Sequence, residues 1–200
     1  MSKVTCDMSM SVDGFVAGPN QAADKPFGDG DVEALHRWMF VQPEENAAEI
    51  QAITSARAFV MGRNMFGPIR GEWEDEDWRG WWGDEPPYHG PVFVLTHHAR
   101  KPLTMQGGTT FTFVTDGIDP ALAQAREAAG DGDVAIAGGA HTVNQYLAAG
   151  YIDELRLHLV PVVLGRGERL FADIGELTLE PLAVRGNELV THVRYSVLGY

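Results

Sequence analysis

The sequence predicts an α/β domain: a mostly parallel central sheet with helices on both faces and an antiparallel C-terminal hairpin at one edge. Three observations predict it. Short apolar runs that stop at glycine alternate with helical patterns as far as Gly150. Strand-like segments dominate after that point, which places an antiparallel edge beside a parallel core. The 200 residues are 44% hydrophobic, enough for one domain over 1–200 with a sizeable core.

The elements follow in order. Val4–Val12 reads as the first strand, and the glycines and prolines of Asp13–Gly30 make a long loop. Asp31–Phe40 predicts a short helix with Asp31 near its N-cap. Glu44–Arg57 predicts a longer one, with Pro43 before it, Glu44 and Glu45 in its first turn, and Ile50 and Ile53 facing the core. Ala58–Met61 is a strand ending at Gly62, and Arg70–Gly90 is irregular. Val92–Thr96 and Thr110–Val114 are strands, and Pro120–Ala129 is a helix. Val134–Ala137 is a buried strand that turns through Gly138-Gly139 into helix Ala140–Ala149, with Gly150 as its cap. Ile152–Val163 is a strand, and Leu177–Leu198 is a hairpin turning at Arg185-Gly186-Asn187.

The segment Asp133–Leu147, DVAIAGGAHTVNQYL, carries the most chemistry. Two glycines let the backbone turn sharply and approach a ligand without a Cβ in the way. The following helix aims free N–H groups and its positive dipole end at the same place, which favours a phosphate. An ordinary strand–turn–helix corner has the same pattern, so this segment alone leaves both readings open. Two further strand ends bear on the choice. Arg63 follows Gly62, and its planar fork suits a phosphate. Val92–Thr96 runs into His97-His98 with Arg100 and Lys101 behind, a setting for a ribose 2′-phosphate. In open α/β sheets ligands sit outside the carboxyl ends of the strands.

Composition narrows the partners. The formal charge of −13 argues against nucleic acid or an anionic membrane as the main partner. No apolar run approaches the roughly 20 residues that cross a bilayer. The N-terminal MSKVTCDMSMSVDG lacks the pattern of a signal peptide, so a cytoplasmic protein is expected. Cys6 is the single cysteine, which excludes a disulfide framework. The seven histidines show no H-x-H or H-x-x-x-H spacing, so no metal site is expected. P-loop, Rossmann and nucleophile-elbow motifs do not occur.

These strand ends also carry a family resemblance. Ser9-Met10-Ser11-Val12-Asp13-Gly14, Val60-Met61-Gly62-Arg63, Leu95-Thr96-His97, Ala137-Gly138-Gly139-Ala140 and Ile152-Asp153-Glu154-Leu155, followed by Pro161-Val162-Val163-Leu164-Gly165, stand in the order and spacing of the dihydrofolate reductase superfold. The chain more closely resembles the branch holding the reductase domain of bacterial riboflavin biosynthesis, the RibD C-terminal domain. The resemblance implies a three-layer fold and NADPH-dependent hydride transfer to a small heterocyclic or ribosyl-linked substrate, as in 5-amino-6-(5-phosphoribosylamino)uracil reductase. It implies that Gly62, Arg63, Asn64, Leu95, Thr96, His97, Ala137, Gly138, Gly139, Ala140, His141 and Thr142 line the dinucleotide. Ser9, Ser11 and Ala17 would approach its nicotinamide end. The C-terminal hairpin resembles the region through which such reductases pair, which implies a homodimer.

Departures from the pattern matter. Dihydrofolate reductases carry an acid on the helix before the M-G-R strand, and counting back from Gly62 that position is Asn46. Glu49, one helical turn along, or Asp13, if its loop folds over the nicotinamide, are the alternative proton-handling groups; a solvated helix carboxylate and a turn-forming Asp-Gly are the competing readings. The zinc deaminase chemistry that accompanies some riboflavin reductases needs paired cysteines that are not present. Arg166 and Arg169 are candidates for a substrate phosphate, or a plain surface turn.

The segment Glu72–Tyr88 holds four of the five tryptophans among seven acids. Trp73 and Trp82 could stack on a flat heterocycle beside Asn46, or pin the loop to the body or to a dimer partner. Two other functions share the fold: a dinucleotide-binding or sensory protein without catalysis, which Asn46 supports, and a flavin- or deazaflavin-dependent reductase.

Overall fold

A computed structural model describes residues 2–68, 70–75 and 77–199. Strand β1 (Val4–Ser11) alternates between two buried faces, with Cys6, Met8 and Met10 on one and Asp7, Ser9 and Ser11 on the other. The loop after it contains a short strand, β2 (Phe15–Ala17). One 3-10 turn over 32–36 leads into α1 (Arg37–Val41), and α2 follows (Ala47–Ile53). Helix α2 is shorter than the Glu44–Arg57 pattern predicts. Asn46 is spent upstream, donating to the carbonyls of Trp38 and Gln42, and Ser55 closes the other end by donating to Ala52 O.

Next come β3 (Ala58–Gly62), the single turn α3 (Arg63–Phe66), β4 (Pro91–Leu95), β5 (Leu103–Thr104) and β6 (Thr110–Val114). Helix α4 (Ile118–Ala129) leads to β7 (Val134–Gly138), which turns into α5 (Ala140–Ala148). Strands β8 (Glu154–Val160), β9 (Glu168–Arg169), β10 (Thr178–Gly186) and β11 (Thr191–Leu198) complete the chain.

Nine strands form one sheet in the order β10-β11-β8-β1-β7-β3-β4-β6-β5, and β2 pairs with β9 in a separate ribbon. The pairs from β8 to β6 are parallel, whereas β11, β10 and β5 join antiparallel. The predicted parallel core and C-terminal antiparallel edge are therefore present, with β5 as an additional antiparallel edge. Among the described residues no helix is long and apolar enough to cross a membrane.

Helices α4 and α5 pack on the sheet face of Cys6, Val60 and Ile136, and Tyr146 and Leu147 fill that core. The opposite face carries two clusters. Trp38, Leu35 and Val160 cover the β8–β11 half, where Ile50 and Ile53 pack at its edge. Phe59, Met61, Phe66 and Phe111 cover the β3–β6 half, roofed by Trp73, Trp78 and Trp82. Three layers result.

The order of the strands places a switch point at β1/β7. Strand β1 pairs with β7 from Val4 to Cys6 and then parts from it, while its pairing with β8 continues to Ser11. The sheet thus opens at its carboxyl end between β1 and β7, where open α/β sheets take ligands.

Candidate active site

Three strands end side by side at that edge. Met61 pairs with Gly138 and Gly62 with Leu95, so the ends of β3, β7 and β4 are neighbours in register. The candidate cofactor residues Gly62, Arg63, Asn64, Leu95, Thr96, His97, Ala137, Gly138, Gly139, Ala140, His141 and Thr142 all lie on these ends or on the first turns of α3 and α5. Ser9 and Ser11 stand across the opening on β1, and Ala17 lies on β2, held over this side by its pairing with Glu168 of β9.

The glycines are explained locally. A Cβ on Gly62 would collide with Thr142 Oγ1, so the M-G-R strand and helix α5 touch only because that position has none. Gly138 has φ +122 and the Gly138–Gly139 peptide bond is cis. Gly139 caps α5, and a Cβ there would meet nothing within 4 Å. The first turn of α5 contains no acidic side chain and its cap residue supplies no side-chain hydrogen bond, so the amide end of the helix is left to an outside acceptor.

Arg63 gives the edge its charge. Its Cζ lies 3.0 Å from the centroid of the Trp73 ring, and Nη1 donates to Thr96 Oγ1 at 3.4 Å. Nε and Nη2 are buried with no hydrogen-bond partner among the described residues. Burial, then the neighbouring Arg100, hold the Arg63 pKa down to about 10. A buried cation with two unused donors is complementary to a phosphate monoester. These residues fit a phosphorylated dinucleotide. His97 is exposed, and His98 Nδ1 stands 3.0 Å from Glu72 Oε1.

The two candidate acids are both engaged. Asp13 accepts from Ser11 Oγ at 2.7 Å and from the backbone N–H groups of Leu164 and Gly165 at 3.0 and 2.7 Å. These bonds, the Ser11 bond first, hold its carboxyl below the usual carboxylate range. Asp13 is a latch between the β1 end and the loop before β9, and its carboxylate is an acceptor in this arrangement. Glu49 faces Arg185 of β10 and pairs with it through both carboxylate oxygens. Partial burial pulls its pKa up, but the pairing with Arg185 outweighs this and the net shift is downward. Glu49 is therefore engaged as the partner of Arg185 in this arrangement. Arg169 stacks on Phe15 at 4.4 Å and donates to Asp13 O, so it belongs to the same latch.

The tryptophans are separated from Asn46. Trp73 Nε1 donates to His98 O and its ring packs on Phe66 and Phe113. Trp82 stacks on Phe111 and meets Tyr88 edge-on, and Trp78 Nε1 donates to Phe66 O. The loop is pinned to the β3–β6 half of the sheet. Trp73 shapes the Arg63 end of the site, and Trp82 is body packing, so neither joins Asn46 in one pocket. Glu76, one of the seven acids in this loop, lies outside the described residues.

Asn46 sits in the other cluster, fully buried. Its Oδ1 is 2.9 Å from His192 Nε2, and His192 Nδ1 is 2.8 Å from His158 Nδ1. The Trp38 ring packs on both histidines, and Trp38 Nε1 donates to Ser9 Oγ at 3.1 Å.

A family model for the RibD C-terminal domain matches residues 2–193. The chain belongs to that family. A Bacillus subtilis (strain 168) relative, the uncharacterized protein YyaP, is 23% identical over 176 residues, which cover 86% of this chain and 81% of the relative. Two solved structures share the fold. A Shewanella sp. PV-4 protein named for riboflavin biosynthesis aligns with a TM-score of 0.66 at 20% identity, covering 98% of this chain and 99% of its own. A pyrimidine reductase-like protein of Corynebacterium diphtheriae aligns with a TM-score of 0.58 at 15% identity, covering 100% and 93%.

Within this RibD C-terminal domain, the histidine pair is what sequence reasoning missed. His158 and His192 are 34 residues apart and meet only because β8 and β11 pair with those two residues in register. A signal was present: Arg156 and His158 alternate with leucines, as His192 and Arg194 alternate with Val193 and Tyr195. Two polar stripes at period two on strands that pair must share a face.

Proposed function

We propose that this chain is an NADPH-dependent reductase of a small heterocyclic or ribosyl-linked substrate, of the type that reduces 5-amino-6-(5-phosphoribosylamino)uracil. The observation that carries the reading is the buried Arg63 guanidinium, with two donors unused, at the edge where Gly139 and the α5 amides also converge. A 2′-phosphate would pair with Arg63 and Thr96, and the pyrophosphate would lie against Gly139 and the start of α5. Family membership supports the reading.

When bound, the reduced nicotinamide supplies a hydride; the chain's part is to orient it, exclude water and handle one proton. The opening between β1 and β7 offers the nicotinamide a place beside Ser9 and Ser11. The decisive assay mixes the protein with NADPH and 5-amino-6-(5-phosphoribosylamino)uracil and follows loss of reduced nicotinamide. Substrate-dependent oxidation is expected. Tight NADPH binding without oxidation by this or any other heterocycle would instead support a non-catalytic dinucleotide-binding protein. That second reading is favoured by one observation: Asn46 stands where a carboxylate is usual, and both nearby candidate acids are held as ionised acceptors.

We further infer a homodimer through the C-terminal hairpin, whose β10 strand leaves Leu182 and Val184 exposed. A dimer mass in light scattering is the expected result, and a monomer would remove the inference.

A further inference from the structure

A chain of hydrogen bonds fixes the protons on Asn46, on His192 and on His158 Nδ1. Asn187 Oδ1 accepts from the backbone N–H groups of Leu189 and Val190, so its Nδ2 is the end that donates to Asn46 Oδ1. Asn46 is oriented independently from its other end, where Nδ2 donates to the carbonyls of Trp38 and Gln42. Asn46 Oδ1 is therefore an acceptor, and His192 Nε2 must donate to it. Burial, then the nearby His158, hold the His192 pKa down to about 4, so at neutral pH this ring carries one proton, on Nε2. Its Nδ1 is then an acceptor, and His158 Nδ1 must donate.

This leaves His158 Nε2. In a singly protonated His158 that atom carries a lone pair, and it stands 3.6 Å from Asp7 Oδ1. Neither atom has a hydrogen-bond partner among the described residues. Two buried acceptors facing each other are costly, and a single proton between them removes the cost for both. The other oxygen of Asp7 already accepts from Arg156 Nη1 at 3.3 Å. Asp7 and His158 line a cavity of about 220 Å³ between α2 and the β8–β10 strands. The charged groups around it are Glu49 from α2, Arg185 from β10, Arg194 from β11 and Arg156 from β8. Glu154 binds Arg156 from behind, and His36 approaches from the 3-10 turn. Ser9, the residue of β1 that pairs with His158 in register, accepts from Trp38 Nε1, and the Trp38 ring packs on His158.

We propose that Asp7 and His158 share one proton at this cavity and that His158 Nε2 is the proton donor of the reduction, with His192 and Asn46 as its positioning residues. The proposal rests on the reductase reading. The carbon of a substrate C=N or C=O bond gains the hydride, and its π pair moves onto the nitrogen or oxygen. That atom takes the proton from His158 Nε2. The substrate is reduced and the dinucleotide oxidised. His158 is left protonated on Nδ1 alone, and the cavity returns a proton from solvent.

The shared proton is tested without a ligand. Protein labelled with ¹⁵N at histidine is examined by ring ¹⁵N–¹H correlation spectra at pH 7. The expected spectrum shows His192 protonated on Nε2 only and His158 protonated on both nitrogens. In Asp7→Asn the Nε2 proton of His158 is expected to disappear, because the carboxylate that shares it is gone. A wild-type His158 protonated only on Nδ1 overturns the shared proton, and that measurement stands even if the variant fails to fold. The donor role is tested by His158→Gln with NADPH and 5-amino-6-(5-phosphoribosylamino)uracil. Turnover is expected to fall roughly 10²–10⁴-fold while NADPH affinity is unchanged. Full turnover in that variant overturns the donor role, whereas absent NADPH binding in the wild type refutes the reductase reading and leaves the ring spectrum to stand by itself.

Discussion

Arg63 lays its guanidinium 3.0 Å over the centre of the Trp73 ring, and Arg100 approaches the same ring at 4.6 Å. One indole thus serves two cations at the end of β3. The arrangement fixes Arg63 without neutralising it, because a ring quadrupole attracts a cation but accepts no conventional hydrogen bond. An anion would supply what the ring does not.

Replacing Arg63 with Met is expected to weaken NADPH binding selectively. Charge-assisted hydrogen bonds contribute roughly 1.5–3 kcal/mol, so NADPH affinity should fall about ten- to a hundredfold. NADH, which lacks the 2′-phosphate, should be little affected. Parallel calorimetric titrations check this, and equal losses for both dinucleotides would place the 2′-phosphate elsewhere.

Gly139→Asp separates binding from folding. Gly139 has φ −78, and a side chain there projects into open space. An aspartate at this cap is favourable for helix α5, through its hydrogen bonds and the helix dipole. The melting temperature should therefore hold or rise. NADPH binding should be lost, because the carboxylate occupies the place of the pyrophosphate and repels it. Unchanged affinity would contradict that placement.

Gly62→Ala should act the other way. Its methyl would meet Thr142 Oγ1, so β3 and α5 must move apart. Overpacking of this kind costs about 1–3 kcal/mol. Thermal denaturation should show the loss, and adding Thr142→Ser, which keeps the hydroxyl, should restore less of it than Thr142→Ala.

His36 makes the fold acid-sensitive. Burial, chiefly, holds its pKa down to about 4 from the ordinary 6.5, and its ring stacks on Phe27 at 4.4 Å. Between those two values the unfolded chain binds a proton that the folded chain does not. Stability is therefore full above about pH 6.5 and declines as pH falls towards 4, by on the order of 3 kcal/mol for this group. His192 is shifted in the same direction. Denaturant titrations from pH 7 to 4 check the slope, and His36→Gln should flatten it.

Much of this site is legible in the sequence because its parts are local. Val60-Met61-Gly62-Arg63 and Ala137-Gly138-Gly139-Ala140 are each a buried strand, a glycine turn and a helix start within a few residues. Parallel strands then bring those ends to one edge. What depends on distant pairing is not legible in the same way. Strands β2 and β9 have three and two residues, too few for a period, and they find each other across some 150 residues through β1 and the Asp13 latch. Glu49 looks like a free helix carboxylate until the hairpin places Arg185 against it. The tryptophan loop allows pocket, interface or packing by composition, and the contacts of Trp73 and Trp82 with Phe66, Phe111 and Phe113 beneath it are set by strands distant in sequence.

The central claim is that the carboxyl edge of β3, β4 and β7 binds a 2′-phosphorylated dinucleotide. The most direct measurement is calorimetric titration of the wild-type protein with NADPH and, in parallel, NADH. Tight NADPH binding is expected, with a clear preference over NADH and a loss of affinity on adding salt, as a phosphate–arginine contact should show. Failure to bind either dinucleotide would contradict it.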